Sequence, residues 1–290
     1  MTIFVTGRRF QMNYTLKITE VDEIKKNNEF VKDNEDIELQ NIKIEEDENI
    51  FKLIMPEKEI FPHDNEGYSV YKKVNNITKS IVLDKKTNRI INVKEIFEKW
   101  KSIKSQIMYD PSTANHIIDD LMSTYDYFEN EQILNIALAR YGLIPYLLNI
   151  NLYNIQENHD KKKNLELYGI LVKKAMLYDV HYKVDHSNEI ERKQEISFEG
   201  QGDINTNVFS LKKEIRGIMN LPKEQEFFVN SSISGKYIFY NGLESMFIKI
   251  NLLVDEMKNL KKYKFGEKVI TIKLVRENNI EKELNNERII

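Results

Sequence analysis

The chain has 290 residues, 43 basic and 46 acidic side chains, a formal net charge of -3 and no cysteine. The missing cysteines exclude disulfide scaffolds, thiolate metal sites, iron–sulfur clusters and a cysteine nucleophile. A dedicated nucleic-acid binder usually carries a basic excess, so the charge balance disfavours that class.

The beginning of the sequence carries no pattern for export. Residues 1–11 lack a basic region followed by an apolar core, and no stretch reaches the roughly 18 apolar residues of a membrane span. We therefore expect a cytoplasmic protein without a membrane span. Met12 is an alternative start to Met1, because a strand pattern begins directly after it. Residues 1–11 and 276–290 are expected to be tails.

Residues 12–92 are predicted to be rich in β-strands. Tyr14, Leu16 and Ile18 alternate with polar residues, which is the period of a half-buried strand. A hairpin is predicted around the turn at residues 84–88, because Asp84 and Asn88 are typical turn residues. Residues 19–48 hold twelve acidic and four basic side chains, a local net charge of -8.

Residues 93–174 are predicted to form the helical middle of the chain. Val93, Ile96 and Trp100 begin an apolar stripe at helical spacing, and Asn92 is the expected N-cap. Two further helices are predicted, one after Pro111 and one over residues 131–141. Residues 159–164, with three consecutive lysines, are expected to be an exposed linker.

Residues 175–275 return to strand patterns. Tyr178, Val180 and Tyr182 alternate with polar residues. Residues 200–202, Gly-Gln-Gly, are expected to form a turn. Residues 236–250 carry the clearest hairpin of the chain, because Asn241-Gly242 suits a type I′ turn with two positive φ angles.

The order strands, helices, strands predicts an α+β fold. We expect antiparallel β segments at both ends, packed on a central helical layer in one composite domain. The two β-rich parts form either one curved sheet, or half-barrel, or two separate sheets. The pattern leaves both arrangements open.

A search for catalytic and cofactor motifs assigns no catalytic, cofactor-binding or metal residue. Phosphate-binding glycine loops, H-E-x-x-H and G-x-S-x-G are all missing from the sequence. His116, Asp119 and Asp120 would share a helix face, which suits a hard metal or a proton shuttle, but a solvated face explains them more simply. His181 and Asp185 share a strand face at about 13 Å, too far apart for a hydrogen bond.

Some serines and aromatic residues have competing interpretations. Ser231-Ser232 is expected to be a loop without the signature of a nucleophile. Trp100, the single tryptophan, is interpreted as a core residue, with an interface anchor as the alternative. Residues 125–128, Tyr-Asp-Tyr-Phe, are expected to place at least one aromatic ring outside the core.

The segment over residues 81–100 resembles a known pattern. Its strand, the turn at 84–88, Ile90, Asn92 and the helix start through Trp100 are similar to an uncharacterised family of proteins from AT-rich bacteria. The family pattern has Gly where this chain has Asn88 and Arg where it has Lys99. The resemblance implies an α+β order and an association with secretion or toxin gene clusters. It implies no catalytic residue.

These observations favour a non-enzymatic protein-binding module, such as a bacterial secretion-associated adaptor or chaperone, or an immunity-like protein. The acidic segment suits a basic protein partner, and nucleic acid is not expected as a ligand. One alternative is a binder of a small apolar ligand between sheet and helices. Another is an enzyme with an unrecognised site. The oligomeric state is left open by the sequence.

Overall fold

The structure is a computed structural model of the full chain. It describes residues 10–26, 29–47, 49–55, 73–74, 76–87, 89–111, 113–124, 128, 130–140, 143–147, 161–168, 175–188, 193–203, 213, 215–217, 221, 223, 226–258 and 261–277. Within these ranges, every helix is too short or too polar to cross a membrane.

Eleven strands and four α-helices make up the described secondary structure. The strands are β1 (Phe10–Lys26), β2 (Glu29–Glu46), β3 (Ile50–Ile54), β4 (Ser80–Asp84), β5 (Arg89–Ile90), β6 (Lys161–Tyr168), β7 (Ala175–Asn188), β8 (Lys193–Asp203), β9 (Phe227–Tyr240), β10 (Leu243–Lys258) and β11 (Lys261–Arg276). The helices are α1 (Val93–Tyr109), α2 (Asn115–Thr124), α3 (Glu131–Arg140) and α4 (Ile144–Leu147), and a 3-10 helix covers Asn76–Thr78.

The predicted α+β fold with a central helical layer is wrong. The strands follow one hydrogen-bonded order, β5-β4-β3-β2-β1-β11-β10-β9-β8-β7-β6, and the registers resolved within it are antiparallel. The fold is therefore mostly antiparallel sheet. The helices hold only 17, 10, 10 and 4 residues. Strand β6 moreover lies inside the range expected to be helical, where the three lysines were interpreted as a linker.

The chain divides into two compact units. The first contains Met1–Asn13, Asn41–Arg140 and Tyr146–Asn151, and the second contains Tyr14–Gln40, Tyr141–Pro145 and Leu152–Ile290. Strand β2 contributes residues to both. Three short strands and the helices α1 to α3 belong to the first unit, whereas the six long strands β6 to β11 belong to the second.

In the first unit, Asn92 is the N-cap residue of α1, as predicted, but its side chain has a different role from the expected one. Its side chain makes no capping bond to the helix. Instead, Oδ1 accepts a 2.9 Å hydrogen bond from the backbone N–H of Val82, and Nδ2 donates one of 2.9 Å to the carbonyl oxygen of Ser80. The side chain thus satisfies two backbone groups of β4 and ties this strand to the helix start.

The core of the first unit forms around the predicted apolar stripe of α1. Val93, Ile96, Trp100 and Ile107 are buried on one face of the helix. The Trp100 side chain is only 1% exposed, and its ring lies 5.2 Å from that of Phe128, centroid to centroid. Within this unit Trp100 is therefore a core residue. The other members of the predicted aromatic cluster, residues 125–127, lie outside the described residues.

In the second unit, alternate residues of the long strands are buried. The predicted face of Tyr178, Val180 and Tyr182 is confirmed, since each is at most 1% exposed. Aromatic side chains of the neighbouring strands extend this buried face. The Phe198 ring lies 5.3 Å from that of Tyr182 and 5.4 Å from that of Tyr237, centroid to centroid. Tilted aromatic contacts of this kind add stability to the area that the rings bury.

Glycines allow these rings to pack closely against the sheet. Gly200 and Gly202 lie within β8, so the predicted turn is wrong. A Cβ atom at Gly202 would stand 3.0 Å from the Tyr178 ring, and one at Gly235 would stand 2.5 Å from the Phe198 ring. Glycine inside a strand often marks such a close approach, which a local sequence pattern does not distinguish from a turn.

The hairpin at Asn241-Gly242 is confirmed. Strands β9 and β10 pair from Leu243 and Phe239 onwards, with an irregularity between Leu243 and Ser245. The φ angles are 49° at Asn241 and 110° at Gly242, the positive values that a type I′ turn requires.

The N-terminal strand of the second unit pairs with a distant part of the chain. Tyr14 to Ile24 of β1 run antiparallel to Arg276 to Gly266 of β11. The Tyr14 hydroxyl also donates a hydrogen bond to the carbonyl oxygen of Leu243. Within the sheet order, β1 lies between β11 and β2.

Candidate functional site: the edge of strand β2

The acidic segment 19–48 contains all of β2, and in the described part of the chain most of one edge of this strand has no neighbouring strand. Strand β3 pairs with β2 only over residues 43–46, where Lys43 lies opposite Ile54 and Glu46 lies opposite Phe51. Between residues 29 and 40 the described part of the chain supplies no strand on this side. A strand edge without a partner presents backbone N–H and C=O groups for pairing with another chain.

The side chains of this stretch are exposed as well. Val31, Ile37 and Leu39 are 41%, 55% and 65% exposed. They are separated by even numbers of residues, so all three lie on one face of the strand. An extended stretch with exposed aliphatic side chains and an unpaired edge has the features of a surface for strand addition.

The same stretch is strongly acidic. Residues 29–40 carry five carboxylates and one lysine, a net charge of -4. The lysine, Lys32, forms an ion pair with Glu35, so its positive charge is paired within β2. Acidic side chains along an edge oppose pairing with another acidic strand and favour a basic one.

Two of the acidic residues that follow, in the first unit, form ion pairs with local lysines. Glu45 lies 2.9 Å from the ammonium group of Lys52, and Glu46 lies 2.5 Å from that of Lys85. Lys85 also donates a 2.6 Å hydrogen bond to the carbonyl oxygen of Asp47. Of the net charge of -8 in segment 19–48, -4 lies in residues 29–40, the part of β2 that belongs to the second unit.

A second feature of this unit is a polar groove on the solvent face of β7, β8 and β9, with a volume of about 430 Å3. Its lining consists of Asp179, His181, Glu199, Gly200, Gln201, Ser232, Ile233 and Ser234. Binding sites for apolar ligands are lined mostly by apolar and aromatic side chains. This groove therefore does not supply the apolar site that the alternative hypothesis needs.

The groove brings together residue types of a hydrolase triad in the wrong order. His181 lies opposite Glu199 in the β7–β8 pair, and Glu199 lies opposite Ser234 in the β8–β9 pair. The carboxylate thus stands between the two others. His181 and Ser234 are two strand spacings apart, about 10 Å, whereas a triad needs the imidazole within hydrogen-bond distance of the hydroxyl.

Among the described residues, the other histidine clusters of the sequence do not form a site. His116 and Asp119 are exposed on α2, and the side chain of Asp120 lies outside the described set. Asp185 accepts a 2.9 Å hydrogen bond from the Ser197 hydroxyl. No group of three potential metal ligands occurs among the residues that the structure describes.

Ser231 lies in β9, so its predicted position in a loop is wrong. It is only 2% exposed, and its hydroxyl donates to the carbonyl oxygen of Asn251 at 3.0 Å. The Tyr178 hydroxyl, 2.7 Å away, then donates its proton to Ser231. This buried chain of hydrogen bonds satisfies polar groups in the core and is closed to a substrate.

Burial also changes the titration of the tyrosines. Desolvation raises the pKa of Tyr178 from 10.0 to about 12, against a smaller opposing effect of its hydrogen bond to Ser231. Desolvation raises the pKa of Tyr182 as well. Both groups thus stay protonated in the folded chain at pH values where the unfolded chain ionises.

We expect alkaline pH to destabilise the second unit. Above pH 10 the unfolded chain releases each phenolic proton while the folded chain retains it, so stability is complete below pH 10 and falls towards pH 12. The expected loss is about 1.4 kcal/mol per pH unit for each tyrosine. Urea unfolding between pH 9 and 12 measures this loss, because the pKa of Tyr178 changes from 10.0 to about 12 on folding. Exchange of both tyrosines for phenylalanine should flatten this slope, and an unchanged slope would refute the assignment.

The charge of this site could be predicted from the sequence, but the unpaired edge of β2 could not. The net charge of segment 19–48 and its position in a β-rich region are both visible in the sequence. The unpaired edge depends on β3, which follows β2 yet spans only five residues. No local pattern in β2 itself indicates how far its neighbour extends.

No family model and no curated protein matches the sequence. The resemblance of residues 81–100 to an uncharacterised bacterial family therefore stays a prediction.

Proposed function

We propose that the protein is a non-enzymatic protein-binding module that takes an extended, basic segment of its partner onto the open edge of β2. The observation that carries the proposal is the coincidence of three properties in residues 29–40. This stretch has no strand on its β3 side within the described chain, its aliphatic side chains are exposed, and its net charge is -4.

The three properties have separate roles in recognition. Backbone hydrogen bonds to the edge provide affinity for any extended segment. Exposed Ile37 and Leu39 offer apolar contacts to alternate side chains of that segment. The carboxylates attract a basic segment and increase its association rate, which makes binding sensitive to salt. In the cell, we propose that the protein acts as an adaptor, a chaperone or an immunity-like protein. This role would be in a bacterial cytoplasm and linked to secretion or toxin genes.

A synthetic peptide of alternating lysine and threonine tests the proposal. In about 50 mM salt we expect it to bind and to slow amide hydrogen exchange in residues 29–40. An acidic peptide of alternating glutamate and threonine should not bind. A lysine peptide with methylated backbone nitrogens keeps the charge and loses the donors, so its binding should be weaker by about tenfold or more.

The matched protein variant carries Glu29, Glu35 and Glu38 as lysine. These three side chains are exposed, so the strand should form as before. The variant should lose binding of the lysine peptide by about tenfold or more at low salt. Protection of another segment, or equal affinity for the acidic and basic peptides, would contradict the proposed function.

A further inference from the structure

In the described part of the chain, strand β6 provides a second open edge, and its net charge is opposite to that of β2. It ends the strand order of the sheet and pairs with β7 along its whole length, from Lys161 opposite Tyr182 to Tyr168 opposite Ala175. On its other side, no strand is present in the ranges that the structure describes. Residues 161–163 are three consecutive lysines, and with Glu166 they give the strand a net charge of +2.

The second unit therefore has an acidic and a basic strand edge. Pairing of β2 with β2, or of β6 with β6, would place like charges opposite each other, which destabilises a strand pair. Charged edges of this kind are a common protection against association of identical edges. Pairing of β2 with β6 is the combination in which the charges attract. The eight residues of β6 also fit within the open stretch 29–40.

We propose that the β6 edge of one copy of the chain adds to the β2 edge of a second copy. The proposal rests on the proposed function, because it assigns β6 as one basic strand that β2 accepts. Since the two edges differ, the contact is head-to-tail, and each bound copy still presents one edge of each kind. A basic partner segment and a second copy then compete for β2.

Two charge-reversal variants test this contact. The first variant combines Lys161→Glu, Lys162→Glu and Lys163→Glu, so both of its edges are acidic. The second variant combines Glu29→Lys, Glu35→Lys and Glu38→Lys, so both of its edges are basic. Sedimentation velocity at about 50 mM salt, over a range of protein concentrations, measures association. At about 0.5 M salt the charge attraction is largely screened, which lowers association of the unmodified chain.

The unmodified chain should associate as its concentration rises, while each variant alone should associate at least about tenfold more weakly. An equimolar mixture of the two variants should associate again, because each edge then finds its opposite. This recovery also shows that both variants are folded. A monomeric unmodified chain at all concentrations, or association that neither reversal weakens, would overturn the proposal. A variant with the three lysines as glutamine gives the same comparison with a smaller change of charge.

Binding of the lysine–threonine peptide separates this inference from the proposed function. The variant with two acidic edges keeps β2 intact and should bind the peptide. If it does so while the unmodified chain stays monomeric, the contact between copies is refuted and the proposed function stands. If the chain associates through its charged edges but no peptide binds β2, recognition of a basic partner segment is refuted instead. In the unmodified chain, the peptide should reduce association.

Discussion

Replacing Gly235 with alanine is expected to lower the free energy of unfolding of the second unit by about 3 kcal/mol, the upper range for an overpacked core. A Cβ atom at this position would stand 2.3 Å from the backbone oxygen of Phe247 and 2.5 Å from Cζ of the Phe198 ring. The backbone oxygen belongs to the paired strand β10, so it moves only if the strand pair is distorted. Urea unfolding followed by far-ultraviolet circular dichroism measures the loss.

Gly217 is the matched control for this substitution. A Cβ atom there meets no other atom within 4 Å, and the residue is exposed. Alanine at Gly217 should leave stability unchanged or raise it by a few tenths of a kcal/mol, up to about 1 kcal/mol. Adding Phe198→Leu to the Gly235→Ala variant should restore only part of the loss, because the contact with the Phe247 oxygen remains. Equal effects at Gly235 and Gly217 would show that the close approach has no energetic role.

Trp100→Ala is expected to cost about 3 to 5 kcal/mol in the first unit, the range for removing a buried aromatic side chain. The substitution removes the contact with Phe128 and leaves a cavity on the buried face of α1. Trp100→Phe keeps a ring at this position and should cost much less. Hydrogen exchange of α1 amides measures both variants, and it does not depend on tryptophan fluorescence.

Met108 provides the control on the same helix. Its side chain is 52% exposed, so Met108→Ala should change stability by less than about 0.5 kcal/mol. In the unmodified chain, the single tryptophan gives a selective signal, and its emission should shift to longer wavelength when the first unit unfolds. A small effect of Trp100→Ala, similar to that of Met108→Ala, would contradict the assignment of Trp100 to the core.

Features of this fold that depend on neighbouring residues were predictable from the sequence. The hairpin between β9 and β10 follows from Asn241-Gly242, because these two residues tolerate the positive φ angles of the turn. The buried stripe of α1 follows from the spacing of Val93, Ile96 and Trp100. In both cases the relevant physics acts within one turn or one helix.

Features that depend on distant residues were not predictable. Gly202 resembles a turn residue until its contact with the Tyr178 ring is known. Asn92 is the predicted N-cap of α1, but its side chain forms hydrogen bonds with β4, ten and twelve residues away, and not with the helix. The order of the sheet is the largest example, because it pairs β1 with β11 and leaves β2 with an incomplete neighbour on one side. The candidate site results from that order, so the sequence indicated its charge and its position in a β-rich region but not its accessibility.

The pairing of β1 with β11 also determines when this part of the sheet can form during translation. Residues 14–24 leave the ribosome long before residues 266–276, the strand that pairs with them in the sheet. Until residues 266–276 emerge, β1 is without this neighbour, and a strand edge in that condition is prone to aggregation. Contacts between such distant residues also slow folding. The nascent chain therefore has a long interval in which chaperones that bind exposed strands would compete with the completion of its own sheet.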